Sequence, residues 1–219
     1  PFFAEPARKG ASDAGVPLLW SSGDADAKES LVAMAQGAPI EAIHQPDATD
    51  TAVLLYTSGT TGKPKGAELT HSNLLLNCAV VVPRLIPIDS SQVALAALPL
   101  FHSFGQTCIQ NATIAAGGSF TLLPRFTPED ALRIIERDRV TIFAGVPTMY
   151  FGLLQTPAAE KHDFSSVRYC MTGGAAMPVD VMRAFEERYP VKILEGFGLS
   201  ETSPAASFNV LDRPRKAGS

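Results

Sequence analysis

A chain of 219 residues that is 46% hydrophobic and 18% charged is long enough to bury a sizeable core and lies in the soluble globular range, as one large domain or a pair of lobes. Its net charge of -4 and pI near 5.6 leave no basic footprint for nucleic acid, and no run of like charge suits an anionic membrane. No apolar stretch approaches the roughly 18 residues of a transmembrane span; Cys78, Cys108 and Cys170 lie far apart without metal-ligand spacing, so reduced, buried thiols in a cytoplasmic protein with small-molecule partners are expected.

Residues 1–50 are the less regular part, a partial N-terminal region with one strand in "VPLLW" (16–20), one helix over 27–36 and a polar linker, "HQPDATD". From residue 51 to 219 the chain alternates. "AVLLY" (52–56) reads as a buried strand, and Thr70 opens a helix in "THSNLLLNCAVVVP" that Pro83 is expected to close. "VALAAL" (93–98) and "SFTLL" (119–123) are strands, followed by a helix in "TPEDALRIIERD" with Thr127 as N-cap, Pro128 at the first helical position and the acids Glu129 and Asp130 against the dipole. Its Ala131, Ile134, Ile135 and Asp138 fall on one face. "VTIFAG" (140–145), "VRYCM" (167–171) and "VKILE" (191–195) complete the strands, with a helix in "MPVDVMRAFEERYP" ended by Pro190 before the last. Strand, helix, strand repeated in this way predicts an α/β fold with a mostly parallel sheet covered by helices on both faces.

Five segments rich in glycine or polar residues follow these strands: "TSGTTGKPKG", "LPLFHSFG", "GVPT", "TGGAAMP" and "EGFGLSET". The carboxyl edge of a parallel sheet is where ligands bind, so their gathering there predicts a functional site. In the first, Gly59, Gly62 and Gly66 free the backbone to point successive N–H groups into one concavity, Ser58, Thr60 and Thr61 add hydroxyls, and Lys63 and Lys65 add charge. That chemistry suits a polyphosphate. It departs from the common phosphate loop, because only two residues separate Gly59 from Gly62 and Pro64 follows Lys63.

"YTSGTTGKPKGAELTH" resembles the signature loop of the adenylate-forming superfamily, and "LPLFHSFG", "TGGAAMP" and "EGFGLSETSP" match later signatures of its acyl-CoA synthetase branch in order. The resemblance runs from about Asp50 to Ser207. It implies ATP- and Mg²⁺-dependent activation of a carboxylic acid to an acyl-adenylate, followed by transfer to a thiol, usually that of coenzyme A. It also implies that the chain is an interior part of the large N-terminal domain, with the ribose-binding aspartate, the hinge and the lysine-bearing C-terminal domain outside residues 1–219.

Carried over, the resemblance puts the β- and γ-phosphates in the Ser58–Gly66 loop, with Thr60, Thr61 and Lys65 as contacts. Glu195, Gly196, Phe197, Gly198 and Ser200 border the nucleotide; Phe197 stands where the family usually has Tyr and stacks on adenine, Ser200 touches the α-phosphate, and Glu201 helps to hold Mg²⁺. Gly173, Gly174 and Ala175 form a wall shared by adenine and acyl group. His102 orients the carboxylate, which is already ionised and needs no general base; its competing reading is a packed, hydrogen-bonded residue. Thr60, Lys65, His102 and Glu201 are thus the expected catalytic residues. Phe101, Phe104, Val146, Met149 and Met177 favour an aliphatic acid, so a fatty acyl-CoA ligase is the leading expectation. A fatty acyl-AMP ligase serving a carrier protein and a nucleotide-binding module without turnover are the alternatives. Exposed apolar edges are expected to favour a homo-oligomer.

Overall fold

In a computed structural model, residues 4–16, 30–37, 42–59 and 62–218 are described. The chain divides into two units, Pro1–Gln45 and Pro46–Ser219. The first holds helices α1 (Ala4–Ala14) and α2 (Leu31–Ala35). Most of the expected 16–20 strand and the start of the 27–36 helix lie outside the described residues; the remainder of that helix is α2.

The second unit opens with β1 (Thr51–Thr57) and β2 (Lys65–Thr70), which pair antiparallel with Thr57 opposite Lys65. This corrects the sequence reading twice. β1 is no buried strand of the parallel sheet, since Leu54 and Tyr56 are 54% and 75% exposed. The signature segment, moreover, closes a hairpin instead of leading from strand to helix. The polar alternation of "KGAELT" masked the returning strand.

Thr70 caps α3 (His71–Leu76) through a reciprocal box: Asn73 N–H donates to Thr70 Oγ1 and Thr70 N–H to Asn73 Oδ1. Pro83 does not close this helix. The backbone widens into a π segment over Asn77–Val81, in which Val82 N–H reaches Asn77 O, and resumes as α4 (Val82–Leu85) with Pro83 in its first turn. The shifted pairing accommodates a residue that has no N–H to donate.

The main sheet is built from β3 (Val93–Ala96), β4 (Ser119–Leu122), β5 (Ile142–Gly145), β6 (Tyr169–Thr172), β7 (Ile193–Gly198) and β8 (Ala205–Phe208) in the order β4-β3-β5-β6-β7-β8. β4 to β7 are mutually parallel and β8 runs antiparallel to β7. Successive side chains alternate between two cores. Leu95, Phe143, Cys170 and Ile193 face α6 (Pro128–Asp138), α7 (Pro147–Gln155) and α8 (Val179–Arg188), whereas Ala94, Ile142, Ala144, Met171 and Leu194 face a second cluster that contains Val82, Cys108, Ile109 and Ala112. The latter group comes from α4, from a π segment over Phe104–Asn111, and from α5 (Ala112–Ala115). The expected α/β fold, mostly parallel and covered on both faces, is the one observed.

Within it, Thr127 caps α6 as expected, its Oγ1 accepting Asp130 N–H at 3.1 Å. The buried face is Ala131, Leu132, Ile134 and Ile135. Asp138 is only half-buried and pairs with Arg137, whose guanidinium holds its carboxyl down at about 2. Tyr150 of α7 is fully buried and donates from its hydroxyl to Met171 O at 2.7 Å, tying the helix to the centre of the sheet. Cys78, Cys108 and Cys170 are free and buried. Among the described residues no helix is long and apolar enough to cross a membrane.

Candidate functional site

The signature segments converge on one cleft of about 560 Å³ in the second unit. Thr57, Ser58, Gly59 and Lys65 of the hairpin form one side; His102, Ser103 and Phe104, which follow β3, form another. Gly173 and Gly174 come from the end of β6, and Gly196 to Glu201 from the end of β7 and the turn beyond it. One motif lies elsewhere than expected. "EGFG" is the last stretch of β7 itself, because β8 folds back and pairs with it: Gly196 lies opposite Phe208 and Phe197 opposite Ser207. Gly196 is required for that return, since a Cβ there would collide with the Phe208 ring.

The hairpin loop turns at Gly59, whose φ of +63° is left-handed, and any Cβ would meet the Lys63 carbonyl oxygen. Lys65 projects from the first position of β2, exposed and, among the described residues, without an ion pair or side-chain hydrogen bond. Thr60 and Thr61 lie outside the described residues. Gly62 and Lys63 are exposed but do not line the cleft, and Gly66 packs beside the Tyr56 ring.

His102 is an exposed residue of the cleft wall whose ring Nδ1 accepts the Phe104 N–H at 3.1 Å. That bond assigns the proton of the neutral ring to Nε2, leaving a donor there. Phe197 keeps 62% of its surface exposed. Ser200 begins a short 3-10 turn, Ser200–Thr202, and Glu201 within it is exposed with no ion pair or hydrogen bond to its carboxylate among the described residues.

Glu195 does not reach the cleft. Its carboxylate is buried beneath the glycine wall, Oε1 accepting Met177 N–H at 2.9 Å and Oε2 accepting Gly218 N–H at 3.2 Å. A strand-interior position on the inward face explains this placement. Ala175 is exposed beyond the lining. Of the apolar residues expected near the acid, only Phe104 lines the cleft; Val146 touches the wall at Gly174, Met149 packs against the core, Met177 is buried in it, and Phe101 is 84% exposed.

Sequence reasoning missed Cys108, Leu199, Pro204, Ala205 and Phe208 as lining residues. "PAASF" has no apolar–polar alternation to mark β8, which is defined by its pairing with β7. Cys108 lies on the π segment after His102; burial, and secondarily neighbouring Cys78, pushes its thiol up to about 12, so it is an inert wall.

A glycine-turned hairpin with an exposed lysine, an exposed aromatic ring and an unpaired acid surround a cleft at the carboxyl ends of parallel strands, the edge at which small molecules bind in such sheets. The chain belongs to the AMP-binding enzyme family, whose model matches residues 5–219. It is 42% identical over 171 residues to a long-chain-fatty-acid–CoA ligase of Bacillus subtilis (strain 168), covering 78% of this chain and 30% of that protein. It is 39% identical over 170 residues to a feruloyl-CoA synthase of an Amycolatopsis species, covering 77% and 33%. Among solved structures, ATP-bound MatB from Rhodopseudomonas palustris superposes with a TM-score of 0.76 at 34% identity, over 85% of this chain and 36% of that one. The chain therefore spans about a third of the length of these relatives.

Proposed function

We propose that the protein carrying this chain activates a fatty acid with ATP and transfers the acyl group to coenzyme A. The acid's carboxylate oxygen attacks the α-phosphorus, the bond to the β-phosphate breaks, and pyrophosphate leaves; the thiol then takes the acyl group from the adenylate and AMP departs. The observation that carries this reading is the convergence of Lys65, His102, Phe197 and Glu201 on one cleft from three separate chain segments.

Each group has a physical task. The hairpin turn at Gly59 and the Lys65 ammonium counter the charge of the outer phosphates. His102 donates from Nε2 to the carboxylate and aligns it for in-line attack, a positioning contribution without proton removal. Phe197 offers its face to adenine, and the missing hydroxyl costs the stacking nothing. Gly173 and Gly174 let the ligand approach the backbone. Among the described residues no group of three potential metal ligands exists. A lone unpaired carboxylate fits Mg²⁺, which is held by one or two acids with phosphate oxygens and water; Glu201 would hold it, and the ion would supply charge neutralisation at the phosphates.

The similarity to the fatty-acid ligase and the apolar wall of Phe104, Cys108, Leu199 and Phe208 favour an aliphatic acid over a small polar one. The test is exchange of labelled pyrophosphate into ATP by the whole protein, with saturated acids from butyrate to stearate beside ferulate. Exchange that depends on a fatty acid is expected. Exchange with ferulate alone would move the substrate to the aromatic acids, and none with any acid would sink the proposal.

A further inference from the structure

Asn77 lies outside every signature, yet it is 5% exposed and opens the π segment that interrupts the helix after the hairpin. Its Nδ2 donates to the carbonyls of Thr202 and Ala205, each at 3.2 Å, and its Oδ1 lies 3.4 Å from the Ala205 N–H that it accepts. One side-chain amide therefore uses both donors and an acceptor on backbone more than a hundred residues away. The segment so gripped, 199–205, brings Ser200 and Glu201 to the cleft. Its other hydrogen bonds are local: Thr202 N–H to Leu199 O, Ser203 N–H to Ser200 O, Leu199 N–H to Pro204 O, those of the Thr202 hydroxyl with Leu199 and Pro204, and the pairing of Ala205 with Gly198 where β8 meets β7.

The opposite end of the same helix is equally fixed. α3 is capped by Thr70, the last residue of β2, and the reciprocal bonds between Thr70 and Asn73 hold that junction. Between the cap and Asn77 stands an α-helix of six residues, His71–Leu76. The strand that begins with Lys65 and the turn that holds Glu201 are thus joined by a stiff strut with a cap at one end and an amide clamp at the other. The π widening begins at Asn77 itself, and such bulges re-aim the side chains at the point where they occur.

We infer that Asn77 is a positioning residue for the cleft, setting the distance between the hairpin loop and the Ser200–Glu201 turn. The inference rests on reading the cleft as a magnesium–nucleotide site. A buried amide that only satisfied its own polar groups would stabilise the fold without altering how the metal contributes to nucleotide binding.

The experiment compares wild type with Asn77→Ala and with Asn77→Asp, which keeps the shape but has no N–H for the two carbonyls. Amide hydrogen exchange without ligand reads the clamp. Peptides spanning 199–208 are expected to exchange about tenfold faster in both variants, with peptides of β5 and β6 unchanged. Calorimetric titration with ATP, in Mg²⁺ and separately in EDTA, reads the positioning. ATP affinity in Mg²⁺ should fall about tenfold while affinity in EDTA changes less than about twofold. Unchanged exchange in 199–208 overturns the clamp, and an equal loss with and without Mg²⁺ overturns the positioning role. Failure of the wild type itself to bind ATP would instead overturn the functional reading, and the positioning role with it. If Asn77→Ala does not fold, Asn77→Asp decides by the same two measurements.

Discussion

Glu195 and Glu201 stand six positions apart in one motif, and their surroundings make them opposites. Glu195 is 8% exposed, with one carboxylate oxygen on Met177 N–H and the other on Gly218 N–H. Glu201 sits exposed on a turn at the cleft, with no charged or hydrogen-bonding partner among the described residues. A buried acid already supplied with donors holds its surroundings in place, whereas an acid left unsatisfied at the mouth of a cleft is available to a ligand. The same division separates the two sheets: the central strands β3, β5 and β6 of the six-stranded sheet are a buried frame, and the half-exposed hairpin carries the loop that offers donors and charge.

The sharpest break between the two acids should come from charge removal without change of shape. Glu201→Gln is expected to lower pyrophosphate exchange by the whole protein about 10²-fold, while thermal unfolding moves by no more than about 0.5 kcal/mol, as for an exposed position. Normal exchange with unaltered metal dependence would reduce Glu201 to a turn-terminal acid. Glu195→Gln should do the reverse. Its amide can accept only one of the two N–H groups and turns a donor towards the other, for a loss of about 1–3 kcal/mol in urea unfolding. A variant as stable as wild type would show that Glu195 does not hold the Met177 backbone to the tail.

Most of the frame was legible in the sequence because its signals are local. Thr127 and Pro128 announce α6, and the β-branched and apolar runs announce β3 to β7. The errors arose where tertiary pairing decides. Nothing within "AVLLY" distinguishes a strand of the buried sheet from one that pairs with the polar "KGAELT", and α7, apolar nearly all round, has no face by which to be recognised. Pro83 was a sound stop signal that a π segment circumvents. Within the site, motif order identified the segments that meet, but whether Glu195 faces ligand or core depends on strand phase against a partner, β8, that was not foreseen. Asn77 was invisible for the same reason: its partners are more than a hundred residues away.

A smaller effect, on the rigid side of the comparison, follows from Cys108. Burial first, and Cys78 second, raises its thiol from 9.0 to about 12. Between those values the unfolded chain has released the proton that the folded chain retains, so this contribution to stability is complete below pH 9 and is lost as pH rises towards 12. Burial also pushes the Cys170 thiol upwards, in the same sense. Urea unfolding measured from pH 8 to 11 should therefore show a declining limb that is shallower in Cys108→Ala. Parallel limbs for the two proteins would show that the Cys108 thiol ionises as readily folded as unfolded.

The smallest expected effect concerns the exposed ring. Phe197 stands at the end of β7 with 62% of its surface exposed, held by its ladder position opposite Ser207 and not by burial in either core. An aromatic face left uncovered at a cleft costs little in the free protein and gains by stacking when a planar base arrives. Phe197→Leu keeps an apolar side chain on the same strand but removes that face. Stacking of this kind is worth about 0.5–1.5 kcal/mol beyond area burial, so ATP affinity should fall roughly 2- to 13-fold with unfolding free energy nearly unchanged. The decisive control is inorganic triphosphate, which has no base: its affinity should be the same in Phe197→Leu and wild type. Equal losses for ATP and triphosphate would mean that Phe197 shapes the strand beneath the phosphates and has no part in holding the base.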